Sequence, residues 1–555
     1  MRKTGDIPSR AGGIRLHRWI FLPVIAVLGT VVLNDFVWDD ELMFKYNPWL
    51  GDPSVWPDLL LRHYWHFSAI LDESDLYWRP LLSSLFWFWG FLFGANAAAF
   101  HALSLLLHII STLCLWLLLR ELAEEEDNKP LASYVAAVFA LHPLAMDTVS
   151  FATSMCDHIV AACAFGCVLI MHRHRTEKAS TLALAGASAL VLVACMSKES
   201  GVFLAAVPVV AFLLPPRTGF SPQKELARFA AAVMPVAVYL AARYGVLSTA
   251  VTRLPLPGPG QLIEAASMIF PAMLRMVIPW SGGHYIHVPL LQTWSAVAGT
   301  VTIVMCGALI TLLARGKMRT RTASGALVFT LLFMLPAFLN TARENGVLFW
   351  PVRYMYVSLG GISIALFALF QSGAAPRGVR PRRIFPVMIL FLAVLSFVRL
   401  AEFRTELDFW KAEISQGVAR PEARIRLGYA YIHDSEWKKA REQFRLLLDA
   451  GNGEIARASR AHAMSGLCAV QVNMKKPSEA IKTCTDAYKL DSQRADALGY
   501  LARALAMTGN IKKADEIITL ALREKVSPVY RTFLEETRLL VKSELKNMDK
   551  KERPE

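Results

Sequence analysis

An acidic cluster formed by Asp39, Asp40 and Glu41 lies directly after the first long apolar segment of the chain. Carboxylates next to a membrane are costly unless they face water or bind a ligand, so such a cluster is a candidate site. A carboxylate held there could act as a general base toward a hydroxyl group. The alternative is an ordinary solvated loop at a helix exit.

Further charged residues stand at the ends of later apolar segments, where loops on one side of a membrane would gather them. They are Arg79, Asp147, Asp157, His158, Lys198, Glu199, Arg343, Glu344 and Arg353. Arginine side chains bind phosphate oxygens, and a carboxylate can accept a proton. Convergence of these residues on one face is what a site for an anionic substrate would need.

Some of the polar residues have simpler explanations. Lys198 and Glu199 are adjacent, which also fits a self-neutralising pair at a helix turn. His101 and His108 lie seven residues apart on one helix face, and this spacing fits packed, hydrogen-bonded histidines better than ligands. The function of these four residues is therefore open at this point.

The cysteines and histidines do not indicate a structural zinc site, because the sequence contains no CxxC pair and no His-rich ligand spacing. Cys468 and Cys484 lie in the C-terminal part of the chain. They could form a disulfide, but the packing of two small side chains is the favoured interpretation.

The elements that must position these residues are membrane spans. Of the 555 residues, 54% are hydrophobic, which excludes a soluble enzyme and predicts an all-α, polytopic membrane protein. We predict eleven spans from apolar runs close to the length that crosses a bilayer. They cover residues 17–35, 97–119, 131–149, 156–172, 179–196, 201–215, 227–247, 292–314, 324–341, 354–371 and 384–401.

The distribution of positive charge predicts the orientation of these spans. The formal net charge is +14, and Lys and Arg concentrate in every second loop, as expected for loops that stay in the cytoplasm. The basicity therefore reports topology and does not indicate a nucleic-acid partner. The N-terminus is predicted to be cytoplasmic and the C-terminus outside. The first apolar segment has no small-residue cleavage site and is predicted to be a retained anchor.

Two further apolar stretches, 80–94 and 261–280, would break this alternation if they crossed the membrane. We predict that they lie on the outer membrane surface and roof a cavity, with Trp87, Trp89 and Trp280 as interfacial aromatics. The first of them belongs to the predicted first outer loop, 36–96.

The C-terminal part becomes charged and repetitive at about Glu402. The residues at the offsets of a tetratricopeptide (TPR) unit are Leu427, Gly428, Tyr431, Ala440 and Phe444, with Ala480 and Ala514 equivalent to Ala440 in two further units. Ala480 and Ala514 are 34 residues apart, which is the length of this repeat. Three units are the minimum for a stable solenoid.

These patterns divide the chain into a membrane domain, 1–401, and a TPR domain, 402–545. The three predicted repeats cover 421–450, 461–494 and 495–528, and a charged tail follows at 546–555.

The order and rough spacing of several short motifs resemble those of the transmembrane-and-TPR protein O-mannosyltransferases, and the resemblance covers nearly the whole chain. The motifs are Trp38-Asp39-Asp40 with Asn47, Tyr77-Trp78-Arg79-Pro80-Leu81, Phe100-His101 with His108, Leu141-His142-Pro143 with Asp147, Asp157, Ser197-Lys198-Glu199-Ser200-Gly201 and Arg353-Tyr354-Met355-Tyr356. Each motif is weak alone, but together they are fairly specific.

The resemblance implies the C-type (GT-C) glycosyltransferase fold, a polyprenyl-phosphate sugar as donor and an acidic catalytic residue in the first outer loop. That residue would be Asp39 or Asp40, with Asp40 favoured. The implied phosphate-binding residues are Arg353, Lys198 and Arg79, and the implied substrate-orienting residues are Asp147, Asp157, His101, Glu199 and Tyr354. Asp39 and Asp40 are the candidate ligands if a divalent cation is used, although nothing in the sequence completes its coordination shell.

We therefore expect a membrane-embedded glycosyltransferase that transfers a sugar to a hydroxyl of a protein acceptor engaged by the TPR domain. The alternatives are a lipid or glycan acceptor, a non-catalytic membrane-anchored TPR scaffold and, with less support, a transporter. The transporter is disfavoured because the polar residues cluster at one face and no inverted repeat is visible.

The resemblance also has limits. The repeat domain is much shorter than in typical animal members, so acceptor choice is expected to differ. Three repeats and the absence of an endoplasmic-reticulum signal favour a multi-pass enzyme of the bacterial inner membrane with a periplasmic TPR domain. The expected lipid carrier is undecaprenyl phosphate, with dolichyl phosphate as the alternative.

Overall fold

The fold is helical, as the sequence predicts. The computed structural model describes residues 21–68, 77–123, 125–177, 179–215, 221–247, 258–279, 283–289, 292–315, 318–339, 342–344, 347–371, 381–415, 420–449, 456–492, 494–524 and 528–552.

Fifteen α-helices make up the described part of the predicted membrane domain. They are α1 (Phe21–Leu28), α2 (Pro80–Phe93), α3 (Ala97–Glu121), α4 (Lys129–Ala140), α5 (Pro143–Ser150), α6 (Met155–Arg175), α7 (Ala183–Ser197), α8 (Val207–Leu213), α9 (Pro222–Val246), α10 (Pro259–Ala266), α11 (Ile269–Val277), α12 (Gln292–Arg315), α13 (Met318–Leu339), α14 (Tyr356–Gln371) and α15 (Pro381–Ala401). Short 3-10 helices precede some of them, including Ala152–Ser154 before α6, Glu199–Ala206 before α8 and Val352–Met355 before α14.

Each predicted span contains helix within the described residues, but the spans differ in regularity. By length and composition, six described helices could each cross a membrane, and a bent pair, α4 and α5, brings the number to seven. Several other apolar helices, among them α7 and the continuous segment Glu199–Leu213, are shorter. The count of eleven spans therefore stays a prediction.

The break between α4 and α5 bends the chain by 58°. Pro143 causes it, because proline has no N–H for the helix ladder and disfavours helical geometry at the residue before it. His142 is extended, and its Nδ1 caps α5 by accepting the Leu144 N–H. The carbonyls freed at the break are bonded within the protein: that of Ala140 by His108 and that of Leu141 by Ser396. A broken helix is tolerated inside a membrane protein only when such partners exist.

The predicted surface helices correspond to α2 and to the pair α10 and α11. The indole N–H of Trp87 donates to the carbonyl of Asp52, and that of Trp89 donates to the carbonyl of Ala99. Trp280 lies outside the described residues. The placement of these helices at a membrane surface stays a prediction.

One small antiparallel sheet was not indicated by the sequence pattern. It consists of β1 (Tyr285–Pro289), β2 (Ala342–Glu344) and β3 (Val347–Pro351), in the order β1-β3-β2. β3 leads directly into the 3-10 helix Val352–Met355, and the Val352 N–H donates to the carbonyl of His284 at 2.9 Å. The sheet thereby fixes the segment that carries Arg353. The side chains of Arg343 and Glu344, in β2, lie outside the described part of the structure.

Eight helices form the C-terminal part. They are α16 (Glu406–Ser415), α17 (Pro421–His433), α18 (Trp437–Asp449), α19 (Arg457–Asn473), α20 (Pro477–Leu490), α21 (Ala495–Met507), α22 (Ile511–Ala521) and α23 (Pro528–Glu552). From α17 to α22 they form successive antiparallel pairs that stack into a solenoid, and α23 packs on the last pair. Phe444 lies between Gly428 and Gly466, where any side chain on either glycine would collide with its ring.

The solenoid is joined to the membrane domain by packed residues as well as by the chain. Phe409 and Trp410 of α16 are fully buried, in one apolar cluster with Val37, Phe151 and the first repeat. The Asp35 N–H donates to the carbonyl of Arg404 at 3.1 Å. The first outer loop is therefore in direct contact with the C-terminal part.

The structure links Cys468 of α19 and Cys484 of α20 by a disulfide, with their Cα atoms 5.4 Å apart. The favoured sequence interpretation, packing without a bond, therefore differs from the structure. The two helices of this repeat face each other closely enough to meet the distance that a disulfide requires.

Candidate active site

A cavity of about 510 Å³ lies where the first outer loop meets the ends of several predicted spans. The structure brings seven of the sequence-predicted residues to its wall: Asp39, Arg79, Asp157, Lys198, Glu199, Arg353 and Tyr354. They come from five separate segments of the chain. The cavity is large enough for a sugar and its phosphate.

Asp39 faces the cavity beside Arg353. The distance from Arg353 Nη2 to Asp39 Oδ2 is 3.5 Å, and the guanidinium group lies over the rings of Trp38 and Phe151 at 5.1 and 4.9 Å from their centroids. Burial raises the pKa of the Asp39 carboxyl, while the positive charge of Arg353 acts in the opposite direction. Asp39 is thus a partly screened carboxylate that can accept a proton.

Asp40 has a different environment, although it is the next residue. It is fully buried, and its two carboxylate oxygens accept the N–H groups of Ala152 and Thr153 at 2.7 and 2.8 Å. Burial raises its pKa to about 7, against these hydrogen bonds, which lower it. Asp40 therefore anchors the start of the 3-10 helix before α6, and the sequence-based preference for Asp40 over Asp39 does not match this geometry.

Lys198 forms a bidentate ion pair with Asp157, with Nζ at 2.7 and 2.8 Å from the two carboxylate oxygens. Its ammonium group also lies 4.9 Å from the ring centroid of Tyr354. Burial is the largest single influence and lowers the pKa of Lys198, but the charge of Asp157, together with Cys156 and Tyr354, raises the pKa above its ordinary value. The side chain is therefore a permanent cation in the cavity wall.

Arg79 pairs with Glu199 in a fork geometry, with Nε and Nη2 at 3.0 and 2.7 Å from Oε2. The rings of Tyr64 and Tyr77 lie against its guanidinium group, each at 4.9 Å. Glu199 thus pairs with Arg79 and the adjacent Lys198 pairs with Asp157, so these neighbours do not form the self-neutralising pair that the sequence left open.

Arg243, which was not predicted from the sequence, lines the cavity from the C-terminal end of α9. Tyr239, one turn earlier, holds this end of α9: its hydroxyl donates to the carbonyl of Trp78, and the two rings stack at 5.5 Å. The available signal was the spacing of Tyr239 and Arg243, which puts both on one helix face. Arg243 was not singled out because it lies inside the predicted span 227–247 and not in a loop.

The wall of the cavity combines an excess of positive charge with an apolar side. Its described charged residues are four cations, Arg79, Lys198, Arg243 and Arg353, and three carboxylates, Asp39, Asp157 and Glu199. Phe203, Leu240 and Phe333 contribute to the apolar side, and Leu240 is 47% exposed, so the cavity reaches the outer surface of α9. Such a wall suits an anion that carries an apolar group.

Two predicted substrate-orienting residues do not reach this cavity. Asp147 is buried in an ion pair with Arg399 of α15, at 2.6 and 2.8 Å, and its carboxylate also contacts His284. His101 bonds through Nε2 to the carbonyl of Asp35 at 3.2 Å. Each side chain connects two segments of the protein, Asp147 of α5 to α15 and His101 of α3 to the backbone at Asp35. Their contacts fit a structural role instead of substrate orientation.

Asp39 and Asp40 do not form a shared cation site. Asp39 faces Arg353 while the oxygens of Asp40 bond to backbone amides, so the two carboxylates do not point to a shared ion. Among the described residues, no group of three or more His, Cys, Asp or Glu side chains is arranged to hold a metal ion.

Comparisons with known proteins give one family match and similarity to two protein O-mannosyl-transferases. Residues 473–536 match the tetratricopeptide repeat family. A protein O-mannosyl-transferase of Caenorhabditis elegans is 25% identical over 205 residues, which cover 36% of this chain and 28% of that protein. The human protein O-mannosyl-transferase TMTC1 is 30% identical over 137 residues, which cover 24% of this chain and 15% of that protein.

These matches confirm the predicted resemblance to protein O-mannosyl-transferases. They span less than a third of the length of either relative. Among solved structures, the crystal structure of the P58(IPK) TPR domain aligns with 66% of this chain and 94% of its own, at 12% identity and a TM-score of 0.22. A score this low does not indicate a shared arrangement of helices.

Proposed function

We propose that this chain is a membrane glycosyltransferase that moves a sugar from a polyprenyl phosphate to a hydroxyl group of a protein on the outer side of the membrane. The observation that carries the proposal is the cavity whose wall combines the carboxylate of Asp39, which faces Arg353, with three further cations and an apolar side. The sequence similarity to protein O-mannosyl-transferases supports the same reaction class, with mannose as the first sugar to test.

In the proposed reaction, the acceptor hydroxyl oxygen attacks the anomeric carbon of the donor sugar. The bond from that carbon to the phosphate oxygen breaks, and the hydroxyl proton passes to Asp39. Negative charge grows on the departing polyprenyl phosphate, where Arg353 and Lys198 stabilise it. Asp157 and Glu199 hold Lys198 and Arg79 in place, so these cations need little reorganisation when the charge develops.

The donor lipid would extend along the apolar side of the cavity. Leu240 lines the cavity and is also exposed on α9, next to Tyr244, which is 59% exposed. Since exposed apolar residues on a predicted span face lipid, a polyprenyl chain could reach the cavity from the membrane at this point. Arg243, on the same part of α9, would meet the lipid phosphate.

The TPR domain would engage the protein acceptor, because repeat solenoids of this kind present extended binding surfaces. Its first helix, α16, packs against the outer loop that carries Asp39, so a bound polypeptide would lie close to the cavity. The disulfide between Cys468 and Cys484 supports an oxidising compartment such as the bacterial periplasm. Undecaprenyl phosphate would then be the carrier.

The test is glycoprotein mass spectrometry of cells that carry the wild-type chain, Asp39→Asn or the control Asp58→Asn at equal membrane levels. Asp58 lies exposed in the same outer loop, away from the cavity. We expect a hexose on Ser, Thr or Tyr to disappear with Asp39→Asn and to persist with the control. Unchanged protein glycans together with altered lipid-linked sugars would identify a lipid or glycan acceptor. If neither the protein glycans nor the lipid-linked sugars change, the result would favour the non-catalytic scaffold.

A further inference from the structure

Trp38, next to Asp39, has an unusual backbone conformation. Its φ angle is 52°, in the left-handed region, where residues other than glycine are uncommon and strained. Such a conformation persists only when surrounding contacts enforce it. The contacts of Trp38 therefore decide where the following carboxylate lies.

One of these contacts comes from the C-terminal part of the chain. The Trp38 N–H donates to Oε2 of Glu406 at 2.7 Å, across 368 residues of sequence. The second oxygen of Glu406 accepts the indole N–H of Trp410, one helical turn later in α16. Each oxygen of this carboxylate thus accepts a hydrogen bond, one from the first outer loop and one from α16 itself.

Aromatic packing fixes the Trp38 side chain at the same junction. Its ring lies 5.6 Å from Trp410, 6.1 Å from Phe409 and 6.0 Å from Phe151, between centroids. Arg353 is a further neighbour, and its guanidinium group lies 5.1 Å from the centroid of the Trp38 ring. Trp38 therefore contacts both α16 and the cation that pairs with Asp39.

From this arrangement we infer that Glu406 is a positioning residue for Asp39, so that the first helix of the C-terminal part completes the active site. The inference rests on the proposed function for its catalytic consequence. It goes beyond that function by giving the C-terminal part a role in catalysis in addition to acceptor binding. Without Glu406, the loop at Trp38 loses the acceptor that offsets its strain, and Asp39 moves relative to Arg353.

Two measurements on the purified full-length protein in nanodiscs test the inference. Hydrogen exchange followed by mass spectrometry reports the backbone of residues 37–46 without any need for activity. Steady-state kinetics with undecaprenyl-phosphate mannose and an acceptor peptide report kcat and KM separately. The variants are Glu406→Ala, Glu406→Gln and the control Asp408→Asn, a partly exposed acid of the same helix that accepts a hydrogen bond from Thr405.

We expect Glu406→Ala to speed exchange in 37–46 and to lower kcat on the order of 10²-fold, the loss that follows a displacement of about 1 Å, with little change in KM. Glu406→Gln retains one acceptor oxygen for the Trp38 N–H. It should therefore recover part of the exchange protection and part of kcat. Asp408→Asn should resemble the wild type. If Glu406 had a purely structural role, Glu406→Ala would lower the stability of the protein without lowering kcat at a nearly constant KM.

The outcomes separate this inference from the proposed function. Unchanged exchange in Glu406→Ala would overturn the inference, whatever the reaction. Faster exchange with wild-type kcat would overturn the positioning role and leave the proposed function standing. If the wild type transfers no sugar but exchange still depends on Glu406, the proposed function fails while the control of the Asp39 loop by α16 is upheld.

Discussion

At the scale of single residues, two adjacent aspartates have different environments because the backbone turns between them. Asp39 faces the cavity and a cation, whereas Asp40 is enclosed and bonded to two amides. The cations of the cavity also differ, since Lys198 and Arg79 have close carboxylate partners while Arg353 meets Asp39 at 3.5 Å. Arg353 and Asp39 thus form the longer of these ion pairs, and Asp39 is the carboxylate whose charge changes when it accepts a proton in the proposed reaction.

The pH dependence of the reaction should follow the ionisation of Asp39. Burial raises its pKa above the ordinary value, so activity should be lost as pH falls through this raised pKa, where the base becomes protonated. Because the charge of Arg353 lowers this pKa, Arg353→Gln should move the acid limb of the kcat profile to higher pH. Arg353→Lys should keep the limb near its wild-type position. An acid limb that is the same in Arg353→Gln would contradict the role of Asp39.

Replacement of Arg243 should weaken donor binding. A hydrogen bond to a charged group contributes about 1.5–3 kcal/mol, so Arg243→Gln should raise KM for the polyprenyl-phosphate sugar by about 10- to 100-fold. The KM for the acceptor peptide should not change. Arg62→Gln, an exposed cation of the first outer loop, is the matched control. An equal effect of the two substitutions would mean that only general surface charge matters.

At the scale of elements, helix breaks and close contacts between helices position the side chains. The bend between α4 and α5 is stabilised by His108 and Ser396, which bond to the freed carbonyls. The same bend points Asp147 of α5 at Arg399 of α15. In the solenoid, Gly428 and Gly466 allow the helices of neighbouring units to approach Phe444. A strained or broken element in this protein is therefore matched by a specific partner elsewhere.

Gly466→Ala should destabilise the solenoid, because the added methyl group would collide with the Phe444 ring. Overpacking of this kind costs about 1–3 kcal/mol. Thermal unfolding of the full chain in nanodiscs should show a lower Tm for the domain that contains this repeat. Gly307→Ala, in α12, has open space around the new methyl group and should not lower the Tm. A wild-type Tm for Gly466→Ala would show that the solenoid can absorb the methyl group.

At the scale of the whole molecule, the two domains share one apolar cluster and the site lies next to it. Residues of the first outer loop, of α16 and of the first TPR unit pack together. The catalytic loop and the acceptor-binding surface are thus parts of one assembly in our proposal.

The cysteines divide between the two domains. The paired cysteines are in the solenoid, and the other six are unpaired in the predicted membrane domain.

Cysteine labelling should reflect this division if the TPR domain lies in an oxidising compartment. Under denaturing, non-reducing conditions, mass spectrometry should find a peptide pair joined through Cys468 and Cys484 and six alkylated cysteines. All eight should be alkylated after reduction. Cys468→Ser should leave Cys484 open to alkylation without a reductant. Eight labelled cysteines in the unreduced wild type would argue against a periplasmic TPR domain.

The sequence by itself determined the helical class, the TPR repeats and most of the polar residues of the cavity. Apolar run length and helical periodicity are local properties, and charges next to lipid are rare enough to be noticed. The tertiary structure decided which aspartate faces the cavity, that Asp147 and His101 bond to other segments, that Arg243 lines the cavity and that Glu406 bonds to the backbone next to Asp39. These depend on the direction of side chains and on contacts across hundreds of residues, and no local pattern encodes such contacts.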